Sequence, residues 1–133
     1  MGPTFIDGAY RAFEPVTLAD LVGKEGYMVE LTSAGKIQLY SGSSGVLPIG
    51  VLSQTMGPSG GWWTVRLLGK GGTVRMIASG AITIGTAVRV ASGGLMAAAS
   101  GAGMNQGVLV GDITPSASGD WIEVLDYPNY QAA

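Results

Sequence analysis

Glycine interrupts this chain too often for long helices to be written into it. It supplies 23 of the 133 residues, and each Gly inside a helix costs about 1 kcal/mol relative to Ala. Between the glycines, short runs alternate apolar and polar residues, the signature of half-buried strands. Trp63, Val65 and Leu67 fall on one side of such a run, and Trp62, Thr64 and Arg66 on the other. Val88 and Val90 alternate with Ala87, Arg89 and Ala91, and Ile122 and Val124 with Trp121, Glu123 and Leu125. The predicted fold class is therefore all-β. Further strands are expected near 27–31, 36–40, 49–55, 73–78, 95–98 and 106–113. Turns are expected at Ser33-Ala34-Gly35, Gly69-Lys70-Gly71-Gly72, Ser79-Gly80 and Ser92-Gly93-Gly94, where Gly takes positive φ without steric cost. At most one short helix is predicted, capped by Thr17, striped by Leu18, Leu21 and Val22 and ended by Gly23.

Composition removes whole classes of function. No Cys and no His are present, which excludes disulfide frameworks, zinc fingers, haem attachment and Ser-His or Cys-His catalytic pairs. Seven Lys+Arg against nine Asp+Glu give a net charge of −2, with no basic field for nucleic acid. The 47% hydrophobic content is too high for intrinsic disorder. Two stretches without charge, 37–65 and 90–111, are broken by Pro, Gly and Ser and do not make membrane spans. The start, Met1-Gly2-Pro3-Thr4-Phe5-Ile6-Asp7, has no secretory pattern, and the chain is expected to be made in a cytoplasm.

No constellation of residues points to catalysis, a cofactor or a metal. Gly101-Ala102-Gly103-Met104-Asn105-Gln106-Gly107 approaches a dinucleotide fingerprint but sets its third Gly one residue late, with no βαβ context, and reads as a hairpin loop. Gly69-Lys70-Gly71-Gly72-Thr73 lacks the upstream Gly of a phosphate loop, since Val65 stands there, and reads as a tight turn with a solvated Lys. Asp120 and Glu123 read as solvated strand and turn residues, and no loop has the carboxylate spacing of a calcium site.

A self-comparison is more informative. Met28-Val29-Glu30-Leu31-Thr32-Ser33-Ala34-Gly35 aligns with Ala87-Val88-Arg89-Val90-Ala91-Ser92-Gly93-Gly94 at an offset of 59, which also pairs Ser41-Gly42 with Ser100-Gly101. After a two-residue deletion, Gly50-Val51-Leu52 pairs with Gly107-Val108-Leu109. Two similar hairpin units are expected, near 26–55 and 85–114; two copies are too few for a solenoid.

Adjacent Trp62 and Trp63 must point to opposite faces of a strand, one into a core and one outward. Trp62, Trp63 and Trp121 are expected to serve core and subunit contact, Trp being suited to interfaces. A β surface with 12% charged residues lacks the Lys and Glu that normally guard strand edges, so other subunits are expected to cover it. Residues 1–16 are read as an extended N-terminal arm, with Phe5, Ile6, Tyr10 and Phe13 docking on a neighbour and 17–133 forming one β-rich domain. Deletion of 2–16 is then expected to leave that domain folded.

The run Ala81-Ile82-Thr83-Ile84-Gly85-Thr86-Ala87-Val88-Arg89-Val90, followed by Gly94-Leu95, Gly107-Val108-Leu109 and Gly119-Asp120-Trp121-Ile122-Glu123-Val124, resembles the capsid decoration, or head cement, proteins of tailed bacteriophages. The resemblance spans roughly residues 26 to 125. It implies a small β-barrel or β-tulip-like module, a homotrimer, bound to the major capsid protein on the outer surface of the virion, without catalytic residues or cofactors. The function it implies is non-covalent cross-linking of capsid subunits, with many modest contacts acting together. The alternative is a carbohydrate-binding or adhesin-like β module using exposed Trp and Tyr; a small hydrolase built on Ser and carboxylates is a more distant rival.

Overall fold

A computed structural model describes residues 8–43, 45–53 and 61–132. The protein is all-β, with ten strands among the described residues: β1 (Tyr10–Phe13), β2 (Met28–Leu31), β3 (Ile37–Leu39), β4 (Pro48–Leu52), β5 (Trp63–Leu67), β6 (Thr73–Ile77), β7 (Ala87–Val90), β8 (Met96–Ala98), β9 (Gly103–Val110) and β10 (Trp121–Gln131). They form two antiparallel sheets in the orders β1-β5-β4-β2-β3 and β6-β10-β9-β7-β8. Neither sheet closes on itself, so the architecture is a pair of open five-stranded sheets rather than the single barrel that the resemblance implies.

The second order is the first with every strand number raised by five. The duplication thus takes in five strands per copy, more than the two hairpins legible in sequence. Strands β2 and β7, and β3 and β8, keep the offset of 59 at both ends. Bonds outside the ladders repeat as well. Gly26 N donates to Leu52 O at 2.9 Å and Gly85 N to Leu109 O at 2.8 Å, while Val16 N donates to Ile37 O at 2.9 Å and Ser79 N to Met96 O at 2.7 Å. Each unit has its own core, and the two cores match position for position. Phe13, Val29, Ile37, Leu52, Trp63 and Val65 pack in the first unit, and Met76, Val88, Met96, Leu109, Ile122 and Val124 occupy the corresponding places in the second.

Equivalent glycines hold the centre of each sheet. A Cβ on Gly50 would collide with the Arg66 carbonyl oxygen, and one on Gly107 with that of Leu125. These are close-approach glycines, required by backbone packing rather than by positive φ.

Two expectations are corrected. Residues 10–13 are not an arm: β1 pairs along its length with β5, Phe13 lies opposite Trp63, and Phe13 is buried in the first core. Residues 14–16 are tied in too, Ile37 N donating to Glu14 O at 3.0 Å. The cause is a single inward residue, Phe13, on a strand whose other side chains are exposed, which reads from sequence as irregular. Phe13→Ala is expected to cost about 3–5 kcal/mol, read as a lowered denaturation midpoint, and deletion of 2–16 to disrupt the first unit instead of sparing it. Phe5 and Ile6 lie outside the described residues. The predicted helix is only a 3₁₀ turn, Leu18–Asp20, whose Thr17 makes no side-chain cap bond. Leu21 alone of the predicted stripe is buried.

Candidate functional site

The buried carboxylates among the described residues, Glu30 and Asp126, serve the scaffold. Glu30, on β2, is buried and accepts from Ser41 N at 2.7 Å, Ser41 Oγ at 3.0 Å and Gln38 Nε2 at 2.9 Å. Burial alone would raise its pKa, but the Ser41 amide and the Gln38 and Ser41 side chains outweigh that and hold the carboxyl below its ordinary value. It is an ionised acceptor, unsuited to donating a proton. Its equivalent at the offset of 59 is Arg89, on β7, which donates to Ser100 O at 2.8 Å, Gly101 O at 3.1 Å and Asn105 Oδ1 at 2.8 Å. Opposite charges at one position perform the same task, clamping the loop that follows β3 or β8. That is a structural role in both units.

The loop at 69–71 differs from its sequence reading as a plain turn. Gly69 N, Lys70 N and Gly71 N converge on the Asp126 carboxylate at 2.8, 2.9 and 3.1 Å, and Arg66 Nη1 donates to it at 2.8 Å. The turn is an anion nest filled by the chain's own carboxylate. Burial pushes the Asp126 pKa up, but the Gly69 amide, Arg66 and the Lys70 amide more than reverse this and keep it below the usual range. Asp126 stands on β10 of the second unit, whereas Arg66 stands on β5 of the first, so this cluster fastens the covalent connection between units. Both Glu30 and Asp126 have lowered folded-state pKa values. Their stabilisation is therefore present above the unfolded carboxylate pKa of about 4 and is lost as pH falls through the folded values. Unfolding followed from neutral to strongly acid pH should show stability dropping only below about pH 4.

The join between units is also built from packing. Met28 and Val51, on the face of the first sheet turned away from its own core, enter the core cluster of the second unit. The second unit's β7–β8 turn lies over them. Met28 N donates to Gly94 O at 2.9 Å, Gly93 N to Tyr40 O at 2.8 Å and Ser92 Oγ to Ser41 O at 3.0 Å. A Cβ on Gly94 would meet Met28 O at 2.6 Å, and one on Gly26 would meet the Trp121 ring at 2.5 Å. The contact is one-way: the first unit presents its back at Gly26, Met28, Tyr40 and Gly42, and the second presents its front at 92–94 and Trp121.

The three Trp residues thus have three different positions. Trp63 is buried in the first core, which removes it as a subunit-interface residue. Trp121 is half-buried at the join, with the Arg75 guanidinium 5.2 Å from its ring centre. Trp62, its equivalent at the offset of 59, is 49% exposed. Tyr10, the other described residue of the expected arm contact, is also exposed.

The remaining concave surfaces are open grooves. One of them, about 470 Å³, is lined by Val16, Leu21, Ile37 and Ser41 and carries Asp20 as its acidic group. Asp120 accepts from Ser116 N at 3.0 Å and Ala117 N at 3.1 Å, and Glu123 from Thr73 Oγ1 at 2.7 Å, so the two carboxylates hold a turn and a strand pair separately. Among the described residues no group of three or more acidic side chains is placed to hold a metal, and no helix is long and apolar enough to cross a membrane.

Comparison with family models, with curated proteins and with solved structures finds no match.

Proposed function

We propose that this chain is a non-enzymatic decoration protein of a tailed-phage head, bound outside the shell and stabilising it by contacting several capsid subunits at once. The observation that carries the reading is the apolar exterior of a sparsely charged molecule. Val22, Leu47, Trp62, Ile113, Tyr127 and Tyr130 are all exposed, Ile113 to 77%, in a chain with 12% charged residues. Such a surface is expected to be covered in the working state. The resemblance of roughly residues 26 to 125 to head-cement proteins suggests the kind of partner, the major capsid protein. Contacts that exist only on the assembled lattice stabilise it by mass action, and several weak contacts from one rigid module act at high effective concentration.

The buried Phe13 limits what can touch the shell. Of the residues expected to make arm contacts, Tyr10 offers a ring at the surface from β1, while Phe13 does not. The test is electron microscopy of particles produced by the genome that encodes the chain, with the chain carrying a C-terminal tag. Tag density at regular positions on the outer shell is the expected result, and particles devoid of the chain would overturn the reading. Glycan binding that is lost on replacing Trp62 would instead favour the carbohydrate-binding alternative.

A further inference from the structure

We infer that the chain associates with further copies of itself head to tail, and that the contact between chains repeats the contact between its two units. A pair of equivalent units joined through unlike surfaces leaves one of each surface uncovered among the described residues. The used front is the β7–β8 turn with Trp121; the unused one is the β2–β3 turn with Trp62. The used back comprises Gly26, Met28, Tyr40 and Gly42; the unused one comprises Gly85, Ala87, Ala99 and Gly101.

The glycines show the difference between used and unused most sharply. A Cβ at Gly94 would strike the Met28 backbone, whereas at the equivalent Gly35 it would meet nothing within 4 Å. A Cβ at Gly26 would strike Trp121, whereas at the equivalent Gly85 it would again meet nothing within 4 Å. Were the units related by a two-fold axis, Gly35 would be covered as Gly94 is. The open positions instead mark a heterologous contact, which propagates until the rotation closes a ring.

The occupant is a second copy of this chain because the backbone of both halves of the vacant contact repeats that of a contact already made, with the smaller Ala87 and Ala99 standing where Met28 and Tyr40 stand. Ser33 stands where Ser92 stands, in a turn of the same length and hydrogen bonding: Thr32 N donates to Lys36 O at 2.8 Å and Ala91 N to Leu95 O at 2.7 Å. The strand pair that receives the turn also keeps its geometry, Tyr40 N donating to Met28 O at 3.0 Å and Ala99 N to Ala87 O at 2.9 Å. Trp62 is then the ring that covers Gly85 of the neighbour, as Trp121 covers Gly26 within the chain. A closed ring holds an even number of units, two from each chain. The inference goes beyond the proposed function, since it concerns the purified chain without any capsid.

The chain has no Cys, so engineered cysteines report without background. Ser92 Cβ lies 3.6 Å from a Cβ built on Gly42, within the span of about 3.5–4.5 Å that a disulfide bridges. Ser92→Cys with Gly42→Cys should therefore cross-link inside the chain. Ser33→Cys with Gly101→Cys, the equivalent pair, should cross-link between chains on mild oxidation and give a ladder of covalent oligomers. Ser33→Cys with Ser116→Cys, exposed but off the proposed surface, should give far less. Trp62→Glu should weaken association by at least about tenfold, as removal of a buried interface Trp does. The inference is overturned if the intrachain bridge forms while the Ser33→Cys, Gly101→Cys protein stays monomeric, or if the Ser116→Cys control gives the same ladder. Neither result bears on whether the chain sits on a shell, and a shell lacking the chain would leave the ladder intact.

Discussion

Replacing Gly107 by alanine is expected to destabilise the protein by about 3 kcal/mol or more, from one added methyl. The methyl would be driven into the Leu125 carbonyl oxygen and towards Val124 Cγ1, where β9 and β10 lie side by side in the middle of the second sheet. No rotamer relieves a clash with backbone, so the strands must separate and give up ladder bonds on both sides. Gly50→Ala should behave in the same way, against the Arg66 carbonyl. Within one chain Gly35→Ala makes no clash, and it should cost the folded chain only the strain of φ +76, about 1 kcal/mol. Urea denaturation of the three variants checks this: the midpoint falls steeply for Gly107 and Gly50 and slightly for Gly35, with little change in slope.

Asp126→Ala is expected to cost about 3–5 kcal/mol, because it strands a charge and three amides together. The Arg66 side chain is largely buried, and the carboxylate it faces is wholly so. Removing the carboxylate leaves the guanidinium and the amides of Gly69, Lys70 and Gly71 without their shared acceptor. Asp126→Asn keeps the shape but not the charge, and should recover part of the loss. It should also remove part of the acid sensitivity, leaving the share due to Glu30. The Asp126→Ala protein should in addition expose the 69–72 connection to proteolysis, since this cluster fastens it to the second unit.

The strands were legible where an apolar face recurs every second residue. The predicted runs around Trp63, Val65 and Leu67 and around Ile122 and Val124 are strands with those residues directed inward, and the offset of 59 between β2 and β7 can be read from Val29-Glu30-Leu31 and Val88-Arg89-Val90. Strand β1 was misread because Phe13 alone turns inward, giving no alternation to detect. Strand β10 runs on past Pro128 through a register shift between Asp126 and Asn129, an irregularity that leaves no alternation in the sequence to mark the continuation. The nest at 69–71 could be read as a turn but not as an anion site, since its anion stands 56 residues further along. The join was illegible for a more basic reason. Gly35 and Gly94 occupy equivalent places in similar turns, Ser33-Ala34-Gly35 and Ser92-Gly93-Gly94, and only the packing of one copy on the other decides which is covered.

The direct test of the central claim, that one β unit is duplicated head to tail and leaves a matching pair of surfaces free, is sedimentation equilibrium of the unmodified chain at high concentration. The expected mass is a multiple of 13.5 kDa that falls towards the single-chain value in Trp62→Glu. A mass of 13.5 kDa at every concentration, unchanged by that substitution, would contradict it.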